Sequence, residues 1–142
     1  MTPQAVDSRV GWRALGPPTL VAGVGIGATV LLHFRDPHQQ YSYGVCPFHF
    51  VTGLWCPGCG GMRAVNDLTY GDVGAALSSN VLIAPLIVLL GVSWVLWVRK
   101  RWRGEKGRMI VVNRKVGTGV LVFLAVFTIL RNTPWGSWLA PA

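Results

Sequence analysis

The chain has 142 residues, room for one small domain. It is 51% hydrophobic and only 13% charged, about half the charged share of a typical soluble domain. A net charge of +8 raises nucleic acid as a partner, but its distribution excludes it. Eight of the thirteen Lys and Arg residues lie between Arg99 and Lys115, directly after an apolar run, where basic residues orient a membrane protein and meet anionic headgroups. Seven tryptophans, eighteen glycines and a mean hydropathy of +0.45 fit the same class.

Residues 1–18 are polar and weakly basic, through Arg9 and Arg13, and are expected in the cytosol. Residues 19–34 (TLVAGVGIGATVLLHF) are uncharged and form the first predicted transmembrane helix. At ~1.5 Å per residue, with Pro17 and Pro18 just before it, this run just reaches across a core of about 30 Å. Gly25-Ile26-Gly27 is a weak signal-peptidase site, and the apolar run continues well past it, so the segment is expected to be retained. Gly23 and Gly27 have the spacing that lets two helices approach closely. His33 reads as an interfacial residue.

Residues 35–80 are expected to form a cysteine-motif loop with short helices. Arg35-Asp36-Pro37 is a turn signal; His38 reads as a loop residue, and Tyr41 and Tyr43 follow. Gly61 to Tyr70 has helical spacing, with Met62, Val65, Leu68 and Thr69 on one face and Arg63 four residues before Asp67, a spacing that allows an ion pair. Gly71-Asp72 interrupts it. A second short helix is predicted from Val73 to Ser79, with Asn80 at its boundary.

Residues 81–98 are the second predicted span. Pro85 falls near its first turn, where a missing amide hydrogen costs least, and Trp94 and Trp97 sit toward its far end as interfacial aromatics do. Residues 99–115 form the basic cytosolic loop. Residues 116–130 are a short third span, which Lys115 and Arg131 extend by snorkelling. Residues 131–142 are a tail in which Trp135 and Trp138 serve as an interfacial anchor. The expected fold is all-α: an integral membrane protein with three transmembrane helices and one or two short surface helices after a cysteine-rich turn. Residues 35–80 carry Arg35 and Arg63 against eight Lys and Arg in the other loop. This contrast predicts a multi-pass plasma-membrane protein with a cytoplasmic N-terminus and an extracytoplasmic cysteine loop and C-terminus.

All three cysteines lie in Cys46-Pro-Phe-His49 … Cys56-Pro-Gly-Cys59-Gly60. Zinc takes four N or S ligands, often as two short x2-spaced pairs, so Cys46, His49, Cys56 and Cys59 make a complete Cys3His set. Pro57 fixes the first turn dihedral, and Gly60 lets backbone amides approach the sulfurs. An oxidising compartment favours two other readings. In one, Cys56 and Cys59 are a thiol–disulfide pair beside a helix amino terminus, although no strand-helix-strand domain accompanies them. In the other, Cys46 bridges to Cys56 or Cys59, leaving one thiol over. The loop is too small to build its own core, so its cysteines staple it or chelate a metal. Arg63 can hold a thiolate, a lipid phosphate or an anionic ligand, or pair with Asp67. The sequence carries no Ser-His-Asp arrangement and no phosphate loop.

The stretch from Phe48 to Ala64 resembles the signature of an uncharacterised family of small bacterial membrane proteins, domain of unknown function 2752. That signature is Cys-Pro-Phe, then Thr-Gly-x-x-Cys-Pro-x-Cys-Gly-x-x-Arg-Ala, then Gly-Asp, an alanine-rich step, Asn and a span. Gly71-Asp72, Ala75-Ala76 and Asn80 continue it, and Val81 stands where the family has proline or tyrosine. The resemblance covers roughly residues 44–98 and leaves the third span outside. It implies a membrane protein and marks Thr52, Gly53, Cys56, Cys59, Gly60, Arg63 and Ala64 as motif positions; it implies no activity. The reading favoured by the residues is a non-catalytic membrane protein whose cysteine turn binds a metal, zinc foremost, or forms a bridge, and so organises an interaction surface. The alternative is a membrane thiol–disulfide oxidoreductase or redox sensor. Expected partners are the bilayer, anionic headgroups at residues 99–115, and a membrane protein or second copy of the chain.

Overall fold

A computed structural model describes residues 11–39, 43–44, 46–105, 107–110 and 112–141. Most of the expected cytosolic segment 1–18, together with Tyr41 and the basic-loop Lys106, lies outside the described residues. Among the described residues the regular elements are all helices, joined by turns and loops, with no strand. Helix α1 covers Gly16–Phe34, α2 Pro47–Thr52, α3 Gly61–Thr69, α4 Val73–Ser79, α5 Ile83–Trp102 and α6 Arg114–Arg131. Short 3-10 turns cover Gly11–Ala14 and Pro134–Leu139.

Helix α1 opens on Pro17 and Pro18, in the first turn where an amide hydrogen has no helical partner to lose, and it stops ahead of Pro37, which disfavours helix in the residue before it. Helix α5 begins at Ile83 because Asn80 turns the chain: its Oδ1 accepts from the Leu82 amide at 3.0 Å. It then runs on through Arg99 to Trp102, four residues into the expected basic loop. Helices α1 and α5 are long and apolar enough to cross a bilayer, and only 6% and 0% of their most apolar windows are buried, unlike core helices of a soluble domain. The structure gives two helices of this kind where three were expected. The 18 residues of α6 include Arg114, Lys115 and Arg131, so its uncharged stretch is shorter than the run of about 20 apolar residues typical of a span.

By contacts the chain divides into two units, Met1–Ala28 with Ile87–Val111, and Thr29–Leu86 with Val112–Ala142. In the first unit the polar tips of aromatics and one arginine reach backbone carbonyls. Trp94 Nε1 donates to Pro18 O at 3.0 Å, Trp97 Nε1 to Gly107 O at 2.7 Å and Arg101 Nε to Ala14 O at 2.7 Å. Trp12 meets Trp102 edge to face at 5.2 Å.

The second unit holds the cysteines, and its interior is small and polar. Cys59, Ala64, Ala76 and Phe127 are buried beside Asn66, Asp67, Ser79, Asn80 and Arg131. Helix α2 was not expected. Pro47 starts it and Gly53, in the left-handed region at φ 70°, ends it. Thr52 Oγ1 donates to Phe48 O at 2.6 Å and accepts from the Leu54 amide at 3.2 Å, so Thr-Gly is a helix stop. Asp72 caps α4 by accepting the Ala75 amide at 2.8 Å, as a residue just ahead of a first helical turn should. The inward face of α3 is Gly61, Ala64 and Asp67, with Asn66 beside it, and Met62 is exposed. Asn66 Nδ2 donates to Leu32 O at 2.7 Å. His33 is not a lone interfacial residue: its Nδ1 shares a 2.8 Å hydrogen bond with Thr69 Oγ1, and its ring stacks on Tyr70.

Candidate metal centre

Three sulfurs from two short turns meet in the second unit. Cys46 occupies the position ahead of α2, and Cys56 and Cys59 flank the Pro57-Gly58 turn ahead of α3. The Sγ atoms are 3.6 Å apart for Cys46 and Cys56 and 2.8 Å for Cys56 and Cys59. All three lie within 4.8 Å of one another. The three cysteines are free, and these separations exceed the ~2.05 Å of a disulfide. The expected structural bridge from Cys46 is therefore corrected: the sulfurs converge as a trio, not as a bonded pair with a spare.

The three thiols differ in their surroundings. The backbone amide of His49, ahead of that of Phe48, holds the Cys46 thiol below its ordinary pKa against the opposing effect of burial, although the geometry falls short of a capping hydrogen bond. Burial, and then the neighbouring Cys56 thiol, push Cys59 up to about 12. The Cys56 amide donates to Cys59 Sγ at 3.3 Å.

Below the sulfurs, the turn's carbonyls are held by three side chains. Asn80 Nδ2 donates to Pro57 O at 2.9 Å and Cys59 O at 3.0 Å. Arg131 Nη1 donates to Cys56 O at 2.9 Å and Nη2 to Cys59 O at 3.0 Å. Asn132 grips Trp55 from both sides, accepting its amide and donating to its carbonyl, each at 2.9 Å. Arg131 is 1% exposed, so it does not snorkel as expected. Its guanidinium lies over the Phe127 ring, and its Nε is buried without a hydrogen-bond partner. Among the described residues no carboxylate lies within ion-pair distance of it. Arg131 and Asn132 are the residues that local spacing misses. A charged-polar pair closing an apolar helix was visible, but their partners lie 72 to 77 positions away.

The other motif positions shape this centre. Gly60 has φ 81°, and a Cβ there would run into the Ser79 carbonyl, so only glycine lets the start of α3 lie against the end of α4. Ala64 is fully buried. Asp67 is engaged away from Arg63: its Oδ2 accepts from Ser79 Oγ at 2.9 Å, and its Oδ1 is 3.3 Å from His38 Nε2. His38 is thus more than a loop residue, since its Nδ1 also meets Asp36 Oδ1 at 2.9 Å. His38, led by its backbone amide, holds the Asp36 carboxyl below its usual range. His49 stands apart from the sulfur trio, with Nδ1 on the Leu54 carbonyl at 3.2 Å and its ring stacked on Trp55 at 4.1 Å. A cavity of about 710 Å³ opens onto all three cysteines, and its wall includes His49, Trp55, Met62 and Arg63.

Three thiols at this separation can hold one metal ion. Neither the curated proteins nor the solved structures include one that matches the chain. Residues 46–94, the segment carrying Cys46, Cys56 and Cys59, match the model described as protein of unknown function (DUF2752).

Proposed function

We propose that the protein is a multi-pass plasma-membrane protein in which Cys46, Cys56 and Cys59 hold one zinc ion as thiolates, and that the filled knuckle organises a non-catalytic interaction surface. The observation that carries this reading is the convergence of the three sulfurs within 4.8 Å. Sulfurs on a tetrahedral zinc lie about 3.8 Å apart, given Zn–S bonds of ~2.3 Å. The 3.6 Å pair already has that spacing, and the 2.8 Å pair opens by about 1 Å around the ion.

Charge supports the divalent assignment. A buried cation without a counter-ion is costly, and Arg131 lies buried behind the sulfurs. Three thiolates around a divalent ion carry one net negative charge, which one guanidinium balances; a monovalent ion would leave two. Among divalent ions, a thiolate-rich site suits zinc.

The membrane part of the reading rests on α1 and α5 and on the basic residues 99–115, which belong on the cytoplasmic side beside anionic headgroups. Helix α6 serves as a third, short span. Leu121 and Ile129 on it are 69% and 66% exposed, as lipid-facing side chains are. The cysteine knuckle then lies outside the cytosol, where a bound metal keeps its thiols from pairing.

The 2.8 Å approach of Cys56 and Cys59 favours one second reading, a thiol–disulfide oxidoreductase or sensor. Elemental analysis and thiol trapping on the same detergent-purified full-length protein separate the two. The metal reading expects about one zinc per chain, lost in Cys59→Ser. Less than a tenth of an equivalent in the unaltered protein, with the Cys56–Cys59 pair cycling between reduced and oxidised, would replace it with the redox reading.

A further inference from the structure

The described residues bring three clustered ligands together, where zinc takes four. Among the described residues the ligand-capable cluster is Cys46, Cys56 and Cys59; His49, with Nδ1 on Leu54 O and its ring on Trp55, lies outside that cluster, and its Nε2 is the group that the His49→Ala variant below tests. Closed sets of four are structural; sets of three leave a position for water or an incoming molecule. All three cysteines line the cavity of about 710 Å³, which falls within the size range of small-molecule sites. Tyr43, Trp55 and Met62 give its wall apolar and aromatic surface, and Arg63 gives it a cation.

We infer that the centre is an open one, whose fourth ligand is a small organic anion with an apolar body that binds from this cavity, its far charge on Arg63. This rests on the metal reading above. A donor atom of the ligand replaces water on the metal; a thiol donor releases its proton to solvent as it binds, and no oxidation state changes. The apolar body lies against Trp55 and Met62. A charge-assisted contact to the guanidinium sets the preference for an anion.

The test uses full-length protein loaded with cobalt(II), which takes zinc's place and reports its ligands in the visible spectrum, and two probes: 4-mercaptobenzoate and the uncharged 4-methylbenzenethiol. Both probes should change the cobalt bands saturably while cobalt stays with the protein through gel filtration. Arg63→Gln should weaken 4-mercaptobenzoate by about tenfold or more and leave the uncharged probe within about twofold, while Arg63→Lys, which keeps the charge without the planar fork, should restore part of the loss. His49→Ala should leave the spectrum without probe unchanged.

Bands that ignore both probes in the unaltered protein overturn the inference, as does a His49→Ala protein with an altered spectrum before any probe is added, which would make His49 the fourth ligand. Loss of cobalt to the probe overturns it as well. These failures leave the metal reading standing. A cobalt-treated protein with no sulfur-to-metal charge-transfer band removes both.

Discussion

Arg131 is the side chain on which the charge of the cysteine centre turns. It holds two carbonyls of the knuckle at 2.9 and 3.0 Å, and Asn80 shares the Cys59 carbonyl with it. Arg131→Met keeps the stem and removes the fork and the charge. Metal affinity, measured by chelator competition on purified protein, is expected to fall about 10- to 100-fold, the range for losing hydrogen bonds from a charged donor. Arg131→Lys keeps the charge but not the bidentate fork and should fall between that variant and the unaltered chain. Equal affinities in all three would show that the guanidinium does not serve the metal. Cys59 sets the pH dependence. Its pKa in the fold is raised from an ordinary 9.0 to about 12. In the metal-free protein it therefore contributes stability below pH 9 that is lost as pH climbs toward 12. Metal binding would act oppositely, because an ion must displace that proton. Apparent affinity is expected to fall by about tenfold or more per pH unit from 8 to 5, and a flat profile would rule out thiolate ligation.

At the scale of elements, the knuckle is a small object built on the ends of several helices. Cys46 precedes α2 and Cys59 precedes α3; Asn80 closes α4, and Arg131 and Asn132 close α6. Each helix end has unpaired backbone groups, and here side chains from one end satisfy carbonyls of another turn. Asn132 is the clearest instance, since it satisfies both backbone groups of Trp55. Asn132→Ala should leave those two groups unpaired. The expected cost is about 1–3 kcal/mol, read as a lowered thermal midpoint in detergent, with a smaller loss of metal affinity than Arg131→Met. An unchanged midpoint would mean that α6 does not brace the knuckle. Asn80 lies within the matched stretch, residues 46–94, but Arg131 and Asn132 lie beyond it, so in this chain the centre draws on α6 as well as on the matched segment.

For the whole molecule, the prediction concerns topology. Under the proposed topology, alkaline phosphatase fused after Ala142 should be active, and fused within residues 103–108 inactive, because basic loops are retained in the cytosol. The reverse pattern would place the cysteines inside; two inactive fusions would mean that α6 does not cross. The sequence by itself determined what depends on near neighbours: the apolar runs of α1 and α5, the short helices α3 and α4 with the Gly71-Asp72 break, and the three cysteines as the place where chemistry is concentrated. Hydrophobic length, turn residues and x2 spacing are all local, and local preferences survive folding. It did not show α2, whose six residues have too short a pattern to read. Tertiary structure alone decided that the sulfurs converge, that His49 stacks on Trp55 instead of joining them, and that Arg131 is buried beneath the knuckle and not drawn to the membrane surface. Those outcomes depend on contacts up to 77 residues apart in sequence, and no periodicity in one segment encodes which distant carbonyl a guanidinium will meet.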